Sequence, residues 1–503
     1  MRILLLSMPD MVPAFRGWLP PNLAISSITG NLRGHDVYTA DLILVRYKLV
    51  SSLKELLTKY NPEMIGLSAM SFQFDTARRV AAFFKNMDKS IKIVLGGYHA
   101  TLMYKEISED GNAESFDFIL RGESDLSFGE LVHAIEGKAS YKDVMGLSFR
   151  QNGAFIHNPP RPLEDLTKIA LPNRTNRVWR GYSFGAKQLD IIETSRGCTM
   201  PCNFCSMNHM YGRKFRTYAI GRVIKDIANA KQHGARYLTI ADDNITLNIR
   251  RFEELCDAIT EAGHNDIRYI VQTSCTGIAS SDTLAEKMAR AGFEFVFLGI
   301  ENVSKQNLRM MRKGNILDSI KRAVELIHKN NMLIIGGMII GNSEDKEEDI
   351  AQNYEFFDRY NIDFISDQII TPYPKTGIRE ELIKAGLITN LDDYRKYNGF
   401  WANVRTKYLD SEELQFTKWK YKKKYSTFFK TTPTFKSRFP FVYLLRLLLL
   451  RPYCRAKDTI RSFGKTEKEV FLEEMDCFNH LNDFKELNTH LNQAGNNMDI
   501  TRN

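Results

Sequence analysis

Short apolar runs alternate with amphipathic segments along the first part of the chain. Residues 2–7, 64–69 and 92–95 have the pattern of buried strands, whereas residues 72–85 carry apolar side chains at helical spacing. Five such strands alternate with helices before residue 140, which is typical of a doubly wound parallel sheet. Ligands bind to such sheets beyond the carboxyl ends of the strands.

A second alternating array follows. Strand patterns at 188–194, 237–241, 268–274, 293–299, 332–340 and 364–371 are separated by helical patterns, three of which end at Gly234, Gly263 and Gly292. Residues 150–186 contain paired prolines and predict a connector. We therefore expect an α/β protein with parts at residues 1–150, 151–186, 187–400 and 401–503, the last of them mostly helical.

Three cysteines follow the first strand of the second array. Cys198, Cys202 and Cys205 have C-x3-C-x2-C spacing in a predicted tight loop. A [4Fe–4S] cluster normally takes four thiolates, so three ligands leave one iron open to bind another molecule. The alternative is a structural zinc site that adds His209. The other four cysteines (256, 275, 454 and 477) are isolated, and the odd total of seven argues against a disulfide framework.

The cysteine spacing, with the aromatic Phe204 between the last two cysteines, resembles the radical S-adenosylmethionine (SAM) superfamily. This resemblance implies that the open iron chelates SAM and that an electron from the cluster cleaves the sulfonium to give a 5′-deoxyadenosyl radical. The six strand–helix repeats fit the partial (β/α)6 barrel of that superfamily.

The resemblance also implies candidate SAM contacts at the carboxyl ends of the barrel strands, where parallel barrels carry their chemistry. A solvated loop carboxylate or a packing glycine remains the alternative for several of these positions. The candidates are Phe204, Asp243, Gln272, Glu301 and Gly337.

The N-terminal part resembles the cobalamin-binding domain that precedes many radical SAM domains. The motifs that carry this resemblance are, in order, Leu19-Pro20-Pro21-Asn22, Gly66-Leu67-Ser68, Leu95-Gly96-Gly97-Tyr98-His99 and Arg121-Gly122-Glu123. The alternative is a Rossmann-like fold that has lost its ligand or binds another nucleotide. The candidate cobalamin contacts are Ser68, Ser71, Gly96, Gly97, His99, Gly122 and Glu123.

One departure from other cobalamin proteins concerns the lower cobalt ligand. The chain has no Asp-x-His-x-x-Gly motif, which supplies an axial histidine elsewhere. His99 is therefore not assigned as a cobalt ligand, and a loop histidine with local hydrogen bonds is the competing interpretation. Cobalamin held without a strong lower ligand is the other arrangement in the family.

The two resemblances together imply methylation of an unactivated carbon in a small-molecule or lipid substrate. The radical would abstract hydrogen, methylcobalamin would deliver the methyl group, and a flavodoxin or ferredoxin would supply low-potential electrons. One alternative is a cobalamin-binding relative that catalyses cyclisation or rearrangement without methyl transfer. A non-enzymatic cobalamin- or metal-binding protein is the other.

Residues 401–503 supply much of the net charge of +9. Between residues 406 and 465 there are 15 Lys or Arg against 4 Asp or Glu, and residues 439–453 are rich in leucine and aromatics. The leucine run is shorter than the ~20 apolar residues that cross a bilayer, so it predicts either an interfacial helix on anionic lipid or a helix docked on the barrel. No known nucleic-acid module accompanies these bases.

The two ends of the chain give further expectations. The apolar start (MRILLLS) is too short for a signal peptide, so we expect a cytoplasmic protein, associated with the inner face of the membrane if the basic region binds lipid. Residues 479–503 are polar and predict a frayed tail.

Overall fold

Two mainly parallel sheets and a C-terminal set of helices make up the chain, in a computed structural model that describes residues 1–13, 18–109, 113–185, 187–425 and 431–493. The first sheet has seven strands and the second has eight. This arrangement confirms the predicted α/β architecture.

The first sheet forms because its strands are apolar on both faces and are covered by helices on both sides. The strands up to residue 157 are β1 (Arg2–Ser7), β2 (Trp18–Leu19), β3 (Asp36–Asp41), β4 (Met64–Ser68), β5 (Lys92–Gly96), β6 (Phe118–Leu120), β7 (Leu147–Gln151) and β8 (Ala154–His157). Their order is β3-β1-β4-β5-β6-β7-β8, with the first five parallel and the last two antiparallel. The sheet thus extends past the expected boundary at residue 150.

The helices of this part lie on the two faces of the sheet. Leu53 and Leu56 of α2 are buried with Phe83 of α3 on one face, and Ile25 of α1 is buried with Leu131 of α6 on the other. The helices are α1 (Leu23–Asn31), α2 (Leu49–Tyr60), α3 (Phe74–Met87), α4 (Tyr98–Leu102), α5 (Tyr104–Glu109) and α6 (Ser127–Ile135). The sheet is therefore doubly wound, as predicted.

The second sheet is a partial barrel of six parallel strands with an antiparallel extension. Its strands are β9 (Ser183–Phe184), β10 (Lys187–Ile192), β13 (Tyr237–Ile240), β14 (Arg268–Ser274), β15 (Phe293–Glu301), β16 (Leu333–Ile340) and β17 (Phe364–Ile369), while β11 (Ser195–Arg196) and β12 (Arg216–Thr217) form a separate pair. The order β17-β16-β15-β14-β13-β10-β9-β2 shows that β2, from the N-terminal part, completes this sheet. The two units are therefore interlocked.

Alternate residues of the barrel strands face the helices outside and the barrel interior. Val271 and Val296 pack against the helices, whereas Ile270 and Phe295 meet Leu189 in a second cluster inside. The helices are α7 (Met207–Tyr211), α8 (Ile220–Gln232), α9 (Ile249–Glu261), α10 (Cys275–Ala279), α11 (Leu284–Ala291), α12 (Lys305–Met310), α13 (Leu317–Lys329), α14 (Glu347–Arg359) and α15 (Gly377–Lys384). This alternation leaves the carboxyl ends of the strands free to build a site.

The C-terminal region is helical, as predicted, and it contacts both sheets. Its helices are α16 (Ser411–Lys424), α17 (Pro433–Arg438), α18 (Pro440–Leu445), α19 (Arg451–Ser462), α20 (Glu467–Asn479) and α21 (Lys485–Gln493), with a π-helical turn at Arg446–Leu450. Leu487 and Leu491 of α21 are buried in the core of the N-terminal unit, beside α3. The prediction of a frayed tail from residue 479 is therefore wrong up to residue 493, and residues 494–503 lie outside the described chain.

Helix α17 closes the amino ends of the barrel strands. Phe435 is buried against Tyr237, Phe295 and Leu333, each of which lies in the first half of its strand. Arg438 forms an ion pair with the buried Glu294 at 2.9 Å, and Thr432 donates a hydrogen bond to Asp363.

Among the described residues, no helix is long and apolar enough to cross a membrane.

Because α17 acts as a plug that fills the amino ends of the barrel, we expect two nearby phenylalanines to contribute differently to stability. Replacing Phe435, which is 5% exposed, by alanine removes a buried ring from the barrel interior and lowers the free energy of unfolding by about 3 kcal/mol. The matched change Phe441→Ala removes a ring that is 76% exposed and leaves stability nearly unchanged. Urea denaturation measures both values, and equal losses would contradict the plug.

Candidate active site

The three cysteines lie in a loop at the carboxyl ends of the barrel strands, here called the cysteine loop (residues 197–206). The loop begins where β11 pairs with β12. Gly197 has a φ of +86°, and a Cβ atom there would lie 2.2 Å from the Lys214 carbonyl oxygen, so the turn requires glycine. Its backbone N–H donates to Asp243 Oδ2 at 2.9 Å.

Two carboxylates after β13 shape the start of this loop. Asp242 is buried and accepts hydrogen bonds from the Thr194 backbone N–H and hydroxyl, both at 2.6 Å. Asp243 points toward the space beside the loop, and burial raises its pKa to about 6. Both carboxylates therefore hold the start of the loop, and Asp243 also lines the neighbouring cavity.

Asn203 fixes the other half of the loop. Its backbone N–H donates to the Met311 carbonyl at 3.3 Å, its side chain donates to the Met310 carbonyl at 2.9 Å, and its own carbonyl accepts from the Ile378 N–H at 3.1 Å. These bonds join the loop to the end of α12 and the start of α15. The thiols are thus carried by a loop that is tied at both ends.

The thiols suit an iron–sulfur cluster better than zinc. None of the three thiols forms a disulfide. Burial raises the pKa of each, that of Cys205 to about 12, so the thiols carry protons that metal binding releases. His209 is exposed, and no three His, Cys, Asp or Glu side chains in the described ranges converge on a single-ion site. A [4Fe–4S] cluster does not need that convergence because each thiolate binds a different iron.

Glu301 lies beside this loop in an ion pair that the sequence did not reveal. Its carboxylate is 2.8 Å from Lys313 Nζ, and both side chains are largely buried. Burial lowers the pKa of Lys313, but attraction to Glu301 and Cys202 outweighs it and holds the pKa above its ordinary value. A Cβ at Gly299 would lie 2.8 Å from Glu301 Oε1, so this glycine makes room for the pair.

The other predicted SAM residues occupy different surroundings. Gln272 pairs in register with Phe297 of the next strand, and its side chain is exposed on the inner face of the barrel. A Cβ at Gly337 would lie 2.7 Å from the Phe297 ring, so that glycine accommodates an inner-face aromatic. Phe204 packs against the outer hydrophobic core. The structure thus gathers Asp243 and Glu301 near the thiols and places Gln272 and Gly337 on the inner barrel wall.

A cavity lies between the two units, at the carboxyl ends of β4, β5 and β6. Five of the predicted cobalamin residues line it: Ser68, Gly96, Gly97, Gly122 and Glu123. The barrel contributes Glu193, Ser195, Arg196, Met207, Met210, Tyr211 and Asp243. Sequence reasoning missed α7, although Met207, Met210 and Tyr211 have the spacing of one helical face.

Backbone geometry at the cavity suits a large ligand that approaches the main chain closely. Gly97 has a φ of +97°, and a Cβ atom there would lie 2.6 Å from the Ala69 carbonyl oxygen. Gly122 has a φ of +78° with open space at its Cβ position. These residues form a smooth cradle at the strand ends, as a corrin-sized ligand needs.

Two residues of the predicted cobalamin set, His99 and Ser71, contact each other. His99 is buried between Phe74 and Tyr394, with ring centroids 4.4 and 4.9 Å away, and its Nδ1 lies 3.3 Å from Ser71 Oγ. Burial lowers the pKa of His99 to about 4. Neither residue is among the described residues that line the cavity. The local contact and the packing of His99 fit the competing interpretation of this residue, and a role of His99 or Ser71 toward cobalamin stays a prediction.

A buried ion-pair network joins the two units beside the cavity. Arg196 contacts Asp125 through two hydrogen bonds of 2.7 and 3.1 Å, and it also meets Glu123 at 3.1 Å and Glu193 at 2.6 Å. Arg216 binds both oxygens of Glu123, at 2.7 and 3.0 Å. Burial opposes ionisation of Asp125, but Arg196 holds its pKa below the ordinary value. We call these five residues the Arg196 network.

Comparison with known protein families gives two matches. The sequence model for the Radical SAM superfamily matches residues 192–357, and that for the B12 binding domain matches residues 18–132. The first match falls mainly on the barrel unit and the second mainly on the N-terminal unit.

Individual proteins give consistent results. An uncharacterized methyltransferase of Pyrococcus horikoshii is 28% identical over 82% of this chain and 90% of its own length. An anaerobic magnesium-protoporphyrin IX monomethyl ester cyclase of Synechocystis is 28% identical over 75% and 76%. The hopanoid C-3 methylase of Methylococcus capsulatus is 25% identical over 70% and 67%.

Solved structures share the fold. OxsB, a cobalamin-dependent S-adenosylmethionine radical enzyme, superposes with a TM-score of 0.67 at 16% identity and covers 99% of this chain and 84% of its own. The similarity therefore extends over the C-terminal helices as well as the two sheets.

The Arg196 network predicts a strong response to loss of its central cation. Arg196→Met leaves the carboxylate of Asp125 buried without its counter-ion and lowers the free energy of unfolding by about 3–5 kcal/mol. Arg250→Met removes a surface ion pair whose arginine is 92% exposed, so it serves as the matched control with little change. Urea denaturation measures both, and equal stability of the two variants would refute the role of the network.

Geometry and comparison agree on the two units. The cysteine loop lies within the matched Radical SAM region, and the glycine-rich cavity lies at the strand ends of the matched B12 region. The relatives named above include a methylase and a cyclase, each of which aligns with at least 70% of this chain. The chain belongs to the radical SAM enzymes that carry a cobalamin-binding domain, in the class of the cobalamin-dependent methyltransferases.

Proposed function

We propose that this enzyme methylates an unactivated carbon of a small-molecule or lipid substrate. One observation carries the proposal: the residues on either side of the cysteines are also walls of the cavity in the cobalamin-binding unit. Arg196 precedes Cys198, and Met207 follows Cys205. Methyl transfer to carbon needs both cofactors at one substrate, and this shared wall supports that requirement.

The chain's own residues would hold and enclose the reactants. When bound, the cluster supplies the electron that cleaves SAM, and cobalamin supplies the methyl group. Cys198, Cys202 and Cys205 would bind the cluster; burial raises the pKa of Cys202, and the nearby ammonium of Lys313 opposes that rise. The Arg196 network would keep the units in contact and exclude water from the space between them.

The remaining site residues are assigned by their placement. We propose that Asp243, Glu301, Gln272 and Gly337 lie along the SAM-binding region, with Phe204 supporting the loop from behind. Glu123 already accepts hydrogen bonds from both arginines of the network, so it would position the cavity wall more than it would bind ligand. The cobalamin cradle would then consist of Ser68, Gly96, Gly97 and Gly122.

The partners follow from the chemistry. A flavodoxin or ferredoxin would supply the low-potential electron, and the net charge of +9 favours an acidic carrier. The named relatives act on hopanoids and on magnesium-protoporphyrin, according to their names. These compounds support an apolar, polycyclic or lipid-like substrate for this enzyme.

Product analysis separates methylation from the cyclase alternative, which the name of the Synechocystis relative keeps in view. Methylation of carbon consumes SAM to S-adenosylhomocysteine as well as to 5′-deoxyadenosine, whereas rearrangement gives only the second product. We expect equal amounts of both when the reduced holoenzyme acts on its substrate. Coupled formation of 5′-deoxyadenosine without S-adenosylhomocysteine would contradict methylation.

The substrate can be sought in the same assay. SAM with a trideuterated methyl group is supplied together with either a membrane-lipid extract or an aqueous small-molecule extract of the host cells. A new species that carries the labelled methyl group identifies the substrate, and the extract in which it arises distinguishes a lipid from a soluble metabolite. Enzyme that carries the cluster but was prepared without cobalamin is the control and should yield no labelled product.

The cysteine assignment predicts a sharp contrast between two thiols. Cys202→Ala removes a cluster ligand, so reconstituted protein should lose most of its iron and at least about 100-fold of its SAM cleavage. Cys477→Ala, which changes an exposed thiol, should leave iron content and SAM cleavage unchanged. Iron analysis and chromatography of 5′-deoxyadenosine measure both effects. Full iron content in Cys202→Ala would rule out the assignment.

A further inference from the structure

The segment of residues 440–462, here called the leucine segment, exposes an unusually large apolar surface. It runs from α18 through the π-helical turn into α19. Leu448 is 60% exposed, Leu449 is 61% and Tyr453 is 65%. The other exposed apolar side chains are Phe441, Val442, Leu444, Leu445, Leu447, Leu450 and Ile460. Ten exposed large apolar side chains thus lie within one segment of 23 residues, and clusters of exposed apolar side chains are typical of contact surfaces.

Three of the four arginines in the segment contact the protein. The Arg446 guanidinium lies 4.4 Å from the centroid of the Phe435 ring. Arg451 donates to Thr431 Oγ1 at 3.0 Å, and Arg461 pairs with Glu474 at 3.3 Å. Arg446, Arg451 and Arg461 thus hold the segment to the protein, while its leucines stay exposed.

Positive charge surrounds the apolar face. Residues 431–465 contain eight Lys or Arg and one acidic residue, Asp458. Of the bases, Lys436, Arg455 and Lys457 are exposed on or beside the segment. A leucine-rich face with a basic border complements an anionic lipid surface, in which acyl chains receive the leucines and headgroups receive the bases.

We propose that the leucine segment docks the enzyme onto an anionic phospholipid bilayer. As a helix of 23 residues it would extend about 35 Å and lie in the plane of the interface. The sequence left open whether this stretch docks on the barrel or on lipid. In the structure, α17 rather than the leucine segment contacts the barrel, because Phe435 of α17 is buried in the barrel while Phe441 of the segment is exposed.

This surface anchors the enzyme and is not an entrance to the site. α17, which leads into the segment, closes the amino ends of the barrel strands, whereas the cysteine loop lies at their carboxyl ends. The inference therefore goes beyond the proposed methylation and does not depend on it. Membrane docking and SAM chemistry can fail independently.

Vesicle sedimentation of the full-length protein tests the proposal. The probes are vesicles of phosphatidylcholine alone or of phosphatidylcholine with phosphatidylglycerol, each at low and at high salt. We expect strong binding to the vesicles with phosphatidylglycerol at low salt, and weaker binding in the other conditions. A protein that stays in the supernatant with anionic vesicles at low salt would overturn the proposal.

Matched variants identify the surface. Leu448→Ser with Leu449→Ser should lower the vesicle partition coefficient at least about tenfold, because two exposed leucines no longer enter the acyl layer. Ile383→Ser with Leu391→Ser, whose side chains are 49% and 44% exposed elsewhere, should bind as the parent does. Arg455→Gln with Lys457→Gln should reduce the preference for phosphatidylglycerol. Equal binding by the two apolar double variants would refute the leucine segment as the contact.

Two further measurements test whether the variants fold and whether a second copy of the chain covers the leucine segment. SAM cleavage without vesicles should be unchanged in all three double variants, which shows that they fold and separates this proposal from the catalytic one. Light scattering should give a monomer in the presence of mild detergent. A stable dimer that the Leu448 and Leu449 changes dissociate, together with absent vesicle binding, would identify a second copy as the occupant and overturn the lipid proposal.

Discussion

The placement of Arg196 is the constraint on which the rest of the site depends. This residue stands in the strand pair that opens the cysteine loop, and its guanidinium is buried against Asp125 and Glu123 of the other unit. Buried charges are tolerated only when paired and hydrogen-bonded, so a different arrangement of the two units would leave these charges unpaired. The position of the thiols relative to the cavity is fixed by the same contact.

Local patterns predicted the fold well because both sheets are built from consecutive strand–helix units. Apolar runs marked the strands, and Gly97 marked a turn whose positive φ and close approach to Ala69 require glycine. The cysteine spacing identified the loop for the same reason, since its three thiols lie within eight residues of sequence. Such features are encoded by neighbours in the chain and can be recognised without coordinates.

Long-range contacts could not be predicted in this way. His99 follows a glycine pair at a strand end, which suggested a ligand contact, but it packs between Phe74 and Tyr394, which is distant in sequence. Lys418 belongs to the basic stretch between residues 406 and 465, yet it is buried and donates to the carbonyls of Gly399 and Phe400. The pairing of Glu301 with Lys313 likewise depends on how a loop folds back after β15.

The two ends of the barrel carry different duties, and the C-terminal region explains how. α17 fills the amino ends with Phe435, whereas the cysteine loop lies at the carboxyl ends. α21 then packs on the N-terminal unit through Leu487 and Leu491, so the same region braces both sheets. Between these two contacts, Arg446, Arg451 and Arg461 hold the leucine segment to the protein while its leucines remain exposed. An exposed apolar surface with a basic border is complementary to an anionic bilayer, which is the basis of the lipid proposal.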